Sequence, residues 1–132
     1  MRKGITGALV LALITIGATG VAVARATHNS TPVVDAAGEV PDDADAAYVV
    51  GHIDTGFAKC LPKRTVKVFF GYIGESKFRL VDVATSSKHG SFSGIGPITH
   101  NGNEAVVIKV KLLAKDLGSE GKCSGGVGTL DD

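Results

Sequence analysis

The chain holds 132 residues, 44% hydrophobic and 5% aromatic, with 14 basic against 13 acidic residues and only two cysteines. That length accommodates one small domain with a modest core. Cys60 and Cys123 stand far apart, without the close-spaced pair of a common zinc site, which argues against a four-ligand zinc centre.

MRKGITGALVLALITIGATGVAVARA opens the chain. Arg2 and Lys3 precede an apolar stretch from Ala8 to Ala24, and Ala24-Arg25-Ala26 places small residues where a signal peptidase requires them. This is the plan of a secretory signal, expected as a helix within residues 1–26, with cleavage after Ala26. Cleavage after Ala24 and retention as an anchor are the alternatives; the apolar run falls slightly short of the roughly 20 residues that span a bilayer. Cleavage after Ala26 leaves 106 of the 132 residues. Arg2, Lys3 and Arg25 depart with the signal, so 11 basic residues face 13 acidic ones and the net charge becomes −2.

Residues 27–47 read THNSTPVVDAAGEVPDDADAA, with Asp35, Glu39, Asp42, Asp43 and Asp45 and neither Lys nor Arg nor an aromatic residue. Such a composition buries too little apolar surface to offset the entropy of ordering it. The segment is therefore expected to be a flexible acidic linker, and the folded domain is expected over residues 48–130. There the balance reverses, to 11 basic residues against six acidic ones. Those basic residues alternate along strands and few aromatics interleave with them, so nucleic acid is not expected as a partner.

Period-two alternation dominates the domain. YVVGHID (48–54) reads as a first strand. RTVKVFFGY (64–72) follows, with Val66, Val68 and Phe70 on one face and Lys67 and Phe69 on the other. After a turn at GYIGES, KFRLVDVAT (77–85) alternates until Val81 and Val83, where a bulge is expected. SFSGI (91–95) is a short strand, and Asn101-Gly102 signals a tight turn. EAVVIKVKLL (104–113) carries Val106, Ile108, Val110 and Leu112 on one side, and residues 123–130 form a last strand. No helical period competes. About seven short strands predict an all-β fold, a small Greek-key antiparallel sandwich of immunoglobulin-like or prealbumin-like kind.

An exported chain folds under oxidising conditions, where two thiols that meet will pair. A reactive thiol needs a base, and no histidine is marked as one for Cys60; a metal site lacks companion ligands. A Cys60–Cys123 disulfide is expected, closing a loop worth about 4 kcal/mol in the chain-entropy model. His52 and Asp54 share a strand face, and His89 and His100 complete a set able to meet at a divalent ion only if the fold gathers them. Ser86, Ser87, Ser91 and Ser93 lie near His89 and Asp82, but no nucleophile elbow accompanies them. No catalytic residue, metal site or cofactor is expected. Phe69, if it faces solvent, marks a weak binding patch, with His52 and Asp54 as further candidates.

VVGHID, KCLPKRTVKVF, TSSKHGSFSGIG, the long alternating strand and the late cysteine together resemble the carboxypeptidase regulatory-like, or transthyretin-like, domain of secreted bacterial proteins. In that pattern Gly90 opens the short strand, Phe92 follows as its aromatic residue, and Cys60 pairs with Cys123. The resemblance implies an antiparallel sandwich without catalysis of its own. Two enzyme groups on related sandwiches fit poorly: His52, His89 and His100 lack the close pairing of an iron dioxygenase, and the terminal GTLDD is not that of a hydroxyisourate hydrolase. The expected role is that of a non-catalytic, secreted or extracytoplasmic module, acting by binding or structural interaction at the cell envelope. An extracellular protein or glycan is the expected partner, with no stable membrane span after processing. An accessory subunit of a secreted hydrolase is the first alternative, and a metal-dependent enzyme using the scattered histidines the second.

Overall fold

Alternation at period two builds the centre of the molecule, in a computed structural model that describes residues 25–131. The expected signal segment lies outside the described residues except for Arg25 and Ala26. Seven strands carry the structure: β2 (Ser30–Val40), β3 (Asp43–Thr55), β4 (Thr65–Tyr72), β5 (Arg79–Thr85), β6 (Ser91–Pro97), β8 (Asn103–Leu112) and β11 (Gly126–Asp131). Four two-residue strands complete the set: β1 (Thr27–His28), β7 (Thr99–His100), β9 (Lys115–Asp116) and β10 (Lys122–Cys123). No helix among the described residues is long and apolar enough to cross a membrane.

β1, β10 and β9 form a small sheet in that order; of the two main sheets one has the order β2-β3-β6 and the other β11-β8-β4-β5, with β7 paired to β8. All pairings of the two main sheets are antiparallel. The chain crosses between sheets after β3, after β5 and after β6, so the expected all-β sandwich is present. Each strand buries alternate residues. Val49 and Ile53 of β3, Val66, Val68, Phe70 and Tyr72 of β4, Phe92 of β6, and Val110 and Leu112 of β8 form one core between the sheets.

Both long edges of the sandwich are closed. Gly128 of β11 passes so near β2 that a Cβ there would lie 2.2 Å from the Pro32 carbonyl oxygen, which only glycine avoids. On the other side Asp82 of β5 accepts from the Ile95 amide of β6 at 2.9 Å and from its neighbour Val83 at 2.8 Å. A carboxylate thereby bridges two edge strands that would otherwise present unpaired backbone. Asn101 and Gly102 both have positive φ, 52° and 81°, the tight turn that joins β7 to β8. The expected bulge in β5 is present as well: the register slips between Val68 and Phe69 of β4, leaving Val81 as the extra residue.

The acidic segment is a correction. Residues 27–47, expected to be a flexible linker, form β1, β2 and the first turn of sheet in β3, and the domain starts near Thr27, not at Tyr48. β2 pairs with β3 from Ser30–Thr55 to Val40–Asp43. Composition misled here because a strand needs few large side chains when its backbone completes an existing sheet. Pro32 is fully buried, Val34 and Ala37 pack on the core, and Asp35, Glu39, Asp42, Asp43 and Asp45 all remain exposed. The acidic residues occupy the solvent side, the hairpin tip and, for Glu39, the mouth of an open cleft, so ordering the segment leaves each of them exposed.

At the pole where β3 ends, Cys60 closes a single 3-10 turn, Ala58–Cys60. It is bonded to Cys123 with Cα atoms 5.6 Å apart, within the bridging range. Beside this link Arg64 is 1% exposed. Its Nη1 donates to Ser30 Oγ at 3.1 Å and the Cys60 carbonyl at 2.8 Å. Its Nη2 donates to the carbonyls of Leu113 and Ser124, both at 2.8 Å. Burial lowers the guanidinium pKa from its ordinary value; the four oxygens satisfy both terminal nitrogens of the buried cation, and its Nε, also buried, has no hydrogen-bond partner among the described residues. Arg64 was not singled out in the sequence; its parity with Val66 and Val68 is the signal that aims it inward.

A chain beginning at Tyr48 lacks β1, β2 and the start of β3. It should show no cooperative thermal transition by circular dichroism, whereas a chain beginning at Thr27 should unfold cooperatively. A cooperative melt from residues 48–132 would restore the linker reading.

Candidate functional site

Strand register gathers residues that the sequence holds apart. On the outer face of the larger sheet, Lys67 of β4 stands opposite Val83 of β5 on one side and Lys111 of β8 on the other. The next row places Phe69 between Leu80 and Lys109. Lys109 and Lys111 are two residues apart on one strand, about 6.7 Å. Three lysines thus share one face, although the basic residues looked dispersed along the chain.

Aromatic rings lie beneath one of these charges. Lys109 Nζ sits 4.4 Å from the Phe78 ring centroid and 5.1 Å from that of Phe69. Cation–π attraction of this kind contributes about 0.5–1 kcal/mol at exposed sites, and it holds the ammonium in place without neutralising it. Among the described residues no carboxylate lies within ion-pairing distance of Lys67, Lys109 or Lys111. Asp131, at the end of β11 opposite Val107, brings a carboxylate to the far edge of the face. Around the lysines Phe78 is 40% exposed, and Ile73, Leu80, Val83 and Val127 are each just over half exposed.

The loop that presents Ile73 and Phe78 is held by Glu75. His100 Nδ1 donates to Glu75 Oε2 and Arg79 Nε to Oε1, both at 2.9 Å. His100 also lies 5.6 Å from the Tyr72 ring, whose hydroxyl donates to the Pro97 carbonyl at 2.7 Å. The bonds from His100 and then Arg79 hold the Glu75 carboxyl below the usual carboxylate range. Burial, followed by the neighbouring Glu75 charge, pushes the Tyr72 hydroxyl up.

The expected patch of Phe69, His52 and Asp54 is not one patch. Phe69 is half-buried on the outer face of the larger sheet, next to Lys109. His52 and Asp54 lie exposed on the outer face of the smaller sheet, with the whole core between them and Phe69. His52 Nδ1 pairs with Asp35 at 2.8 Å; Asp35 is the extra residue of the bulge in β2. His100 is engaged by Glu75, and His89 sits in the exposed turn before Gly90. Among the described residues no three His, Cys, Asp or Glu side chains gather as metal ligands. Ser86 is structural: its hydroxyl donates to the Leu61 carbonyl at 2.6 Å and accepts from the Arg64 amide at 2.9 Å. At the pole away from the disulfide, an open cleft of about 420 Å³ has Phe70 and Ile98 in its wall and Glu39, Glu104 and Asp131 on its lining.

Because the folded-state pKa of Glu75 is depressed, its contribution to stability is complete above the ordinary value of 4.5. That contribution is lost as pH falls through the lowered value. E75Q should therefore show a smaller drop in melting temperature between pH 7 and pH 3 than the parent protein, within the acid range where carboxylates titrate (about 2–5). Equal drops in both proteins would contradict the assignment.

No family model, curated protein or solved structure matches the chain.

Proposed function

We propose that this protein is an exported, non-catalytic β-sandwich that works by binding at the cell envelope, through the outer face of its larger sheet. The observation that carries this reading is the set of Lys67, Lys109 and Lys111 on a face where exposed apolar side chains outnumber carboxylates. Leu80 and Val83 of β5 and Val127 of β11 flank the lysines in neighbouring rows of the sheet, and charge interleaved with exposed apolar groups on one face marks an interaction surface. Among the described residues the three cations have no ion-pair partner to give up on binding.

Export rests on the tripartite N-terminal pattern, and the Cys60–Cys123 bond is compatible with it. A non-catalytic role is in keeping with serines and histidines that are absorbed in separate structural contacts. It also fits what the resemblance to carboxypeptidase regulatory-like domains implies.

The test is retention of purified protein on isolated envelopes of the producing cells. The parent protein should sediment with the envelopes and be released as salt rises, because exposed charges are screened. The variant K67Q/K109Q/K111Q, with an unchanged melting temperature, should stay in the supernatant. Equal retention of the two proteins would remove this face as the working surface.

A further inference from the structure

We infer that the partner of this face is an anionic lipid surface, against which the larger sheet lies flat. The inference rests on the reading of that face as the working surface and names the chemistry it meets. Three features point to lipid.

The first is the kind of apolar group displayed. Ile73, Phe78, Leu80 and Val83 are all exposed, by 40% to 53%, and all belong to the β4–β5 hairpin or its turn. Branched aliphatic side chains gain from transfer into the boundary between headgroups and acyl chains. They gain little against a hydrated sugar chain or a row of phosphates.

The second is the kind of charge. The cations among these groups are lysines, compact point charges on flexible stems that reach headgroup phosphates from many angles. Partitioning onto an anionic surface gains about fivefold per lysine held near it. The smaller sheet offers the opposite. Its outer face and hairpin tip carry Asp35, Asp42, Asp43, Asp45 and Asp54, all exposed. The molecule is therefore polarised, and an anionic surface attracts it by one face and repels it by the other.

The third is what the face lacks. Single-stranded nucleic acid wants successive open aromatic platforms, and here Phe69 is half-buried with Lys109 above it, leaving only Phe78 open. An added peptide strand wants a free sheet edge, and β5 and β11 are closed against β6 and β2. A small molecule wants an enclosed, mostly apolar concavity, and the hollow beside Phe78 and Leu80 is wide open and lined largely by polar residues, Glu75, Lys77, Arg79 and Asn101 among them.

The chain has no tryptophan, so one introduced residue reports its own position. F78W and Y48W place the probe on opposite faces, since Tyr48 is 37% exposed on the smaller sheet. Both are titrated with vesicles of phosphatidylglycerol and phosphatidylcholine in equal parts, and with pure phosphatidylcholine. On the mixed vesicles F78W emission should shift to the blue and be quenched by brominated acyl chains, and Y48W should do neither. Binding to pure phosphatidylcholine should be weaker by about a hundredfold, the product of three lysine contributions. K67Q/K109Q/K111Q in the F78W background should lose a similar factor. L80S/V83S, with an unchanged melting temperature, should bind more weakly and show a smaller blue shift.

Absence of binding to the mixed vesicles, or a blue shift at position 48 in place of 78, would overturn the inference. So would lysine-dependent binding to dextran sulfate or to an oligo-dT strand that exceeds binding to the vesicles. In either of those cases the lysine face stands as the working surface and only the lipid is lost. Envelope retention that ignores the three lysines removes the face itself.

Discussion

Where β4 begins, a guanidinium with no carboxylate partner among the described residues sits among four oxygens from four parts of the chain. Arg64 reaches Ser30 at the start of β2, Cys60 in the turn after β3, Leu113 after β8 and Ser124 just before β11. Those segments belong to both sheets and to the chain end that follows the expected signal. The Cys60–Cys123 link ties two of the same segments covalently. Ser30 adds a further join, its hydroxyl donating to the Ser124 carbonyl and its amide bonding to the Ser124 hydroxyl. A buried cation with its acceptors removed costs several kcal/mol, so each of these segments must be in place for Arg64 to be tolerated. One pole of the sandwich is thus specified by a polar cage and a disulfide, and the rest by packed β-branched and aromatic residues.

The interaction surface depends on that arrangement at one remove. Lys67 leaves β4 outward because Arg64, Val66 and Val68 go inward, and its neighbours are decided by how β4 pairs with β8. A slip of one residue in that pairing would turn Lys109 and Lys111 into the core and bring Val110 and Leu112 to the surface. The hydrophobic pattern of β8 forbids it. The same alternation that builds the core therefore collects the cations, and the bulge at Val81 restores the facing of Leu80 alongside Phe69. The acidic residues go elsewhere for an equally plain reason: they are concentrated in the segment that folds as the β2–β3 hairpin of the smaller sheet. Charge that is nearly balanced over the chain ends up divided between the two outer faces.

Most of the sandwich was legible along the chain. Val66, Val68 and Phe70 announced their face, Asn101-Gly102 its turn and Val81–Val83 a bulge. Pairing of the cysteines followed from there being only two. The failures share a cause. The composition of residues 27–47 signals disorder, but β2 is ordered by a partner, β3, whose apolar residues lie in another segment. Dispersed lysines were judged along one dimension, and Lys67 meets Lys111 only through register. Phe69 is parted from His52 and Asp54 because the crossing after β3 sends β4 to the other sheet, and no local pattern reports which sheet a strand joins. Arg64 was within reach, since its position two before Val66 made it inward-facing, but basic residues at strand starts are ordinarily solvated.

The central claim is that Arg64 and the Cys60–Cys123 bond act together to hold the pole. A double-mutant cycle tests it, comparing the parent protein with R64M, with C60A/C123A and with the combined variant in guanidinium unfolding. Residues in one network couple by about 0.5–3 kcal/mol, and independent sites add within about 0.5 kcal/mol. The account predicts a coupling above about 1 kcal/mol, the combined variant losing less than the two separate losses together. Losses that simply add would show the disulfide and the arginine cage to be separate supports, and would contradict it.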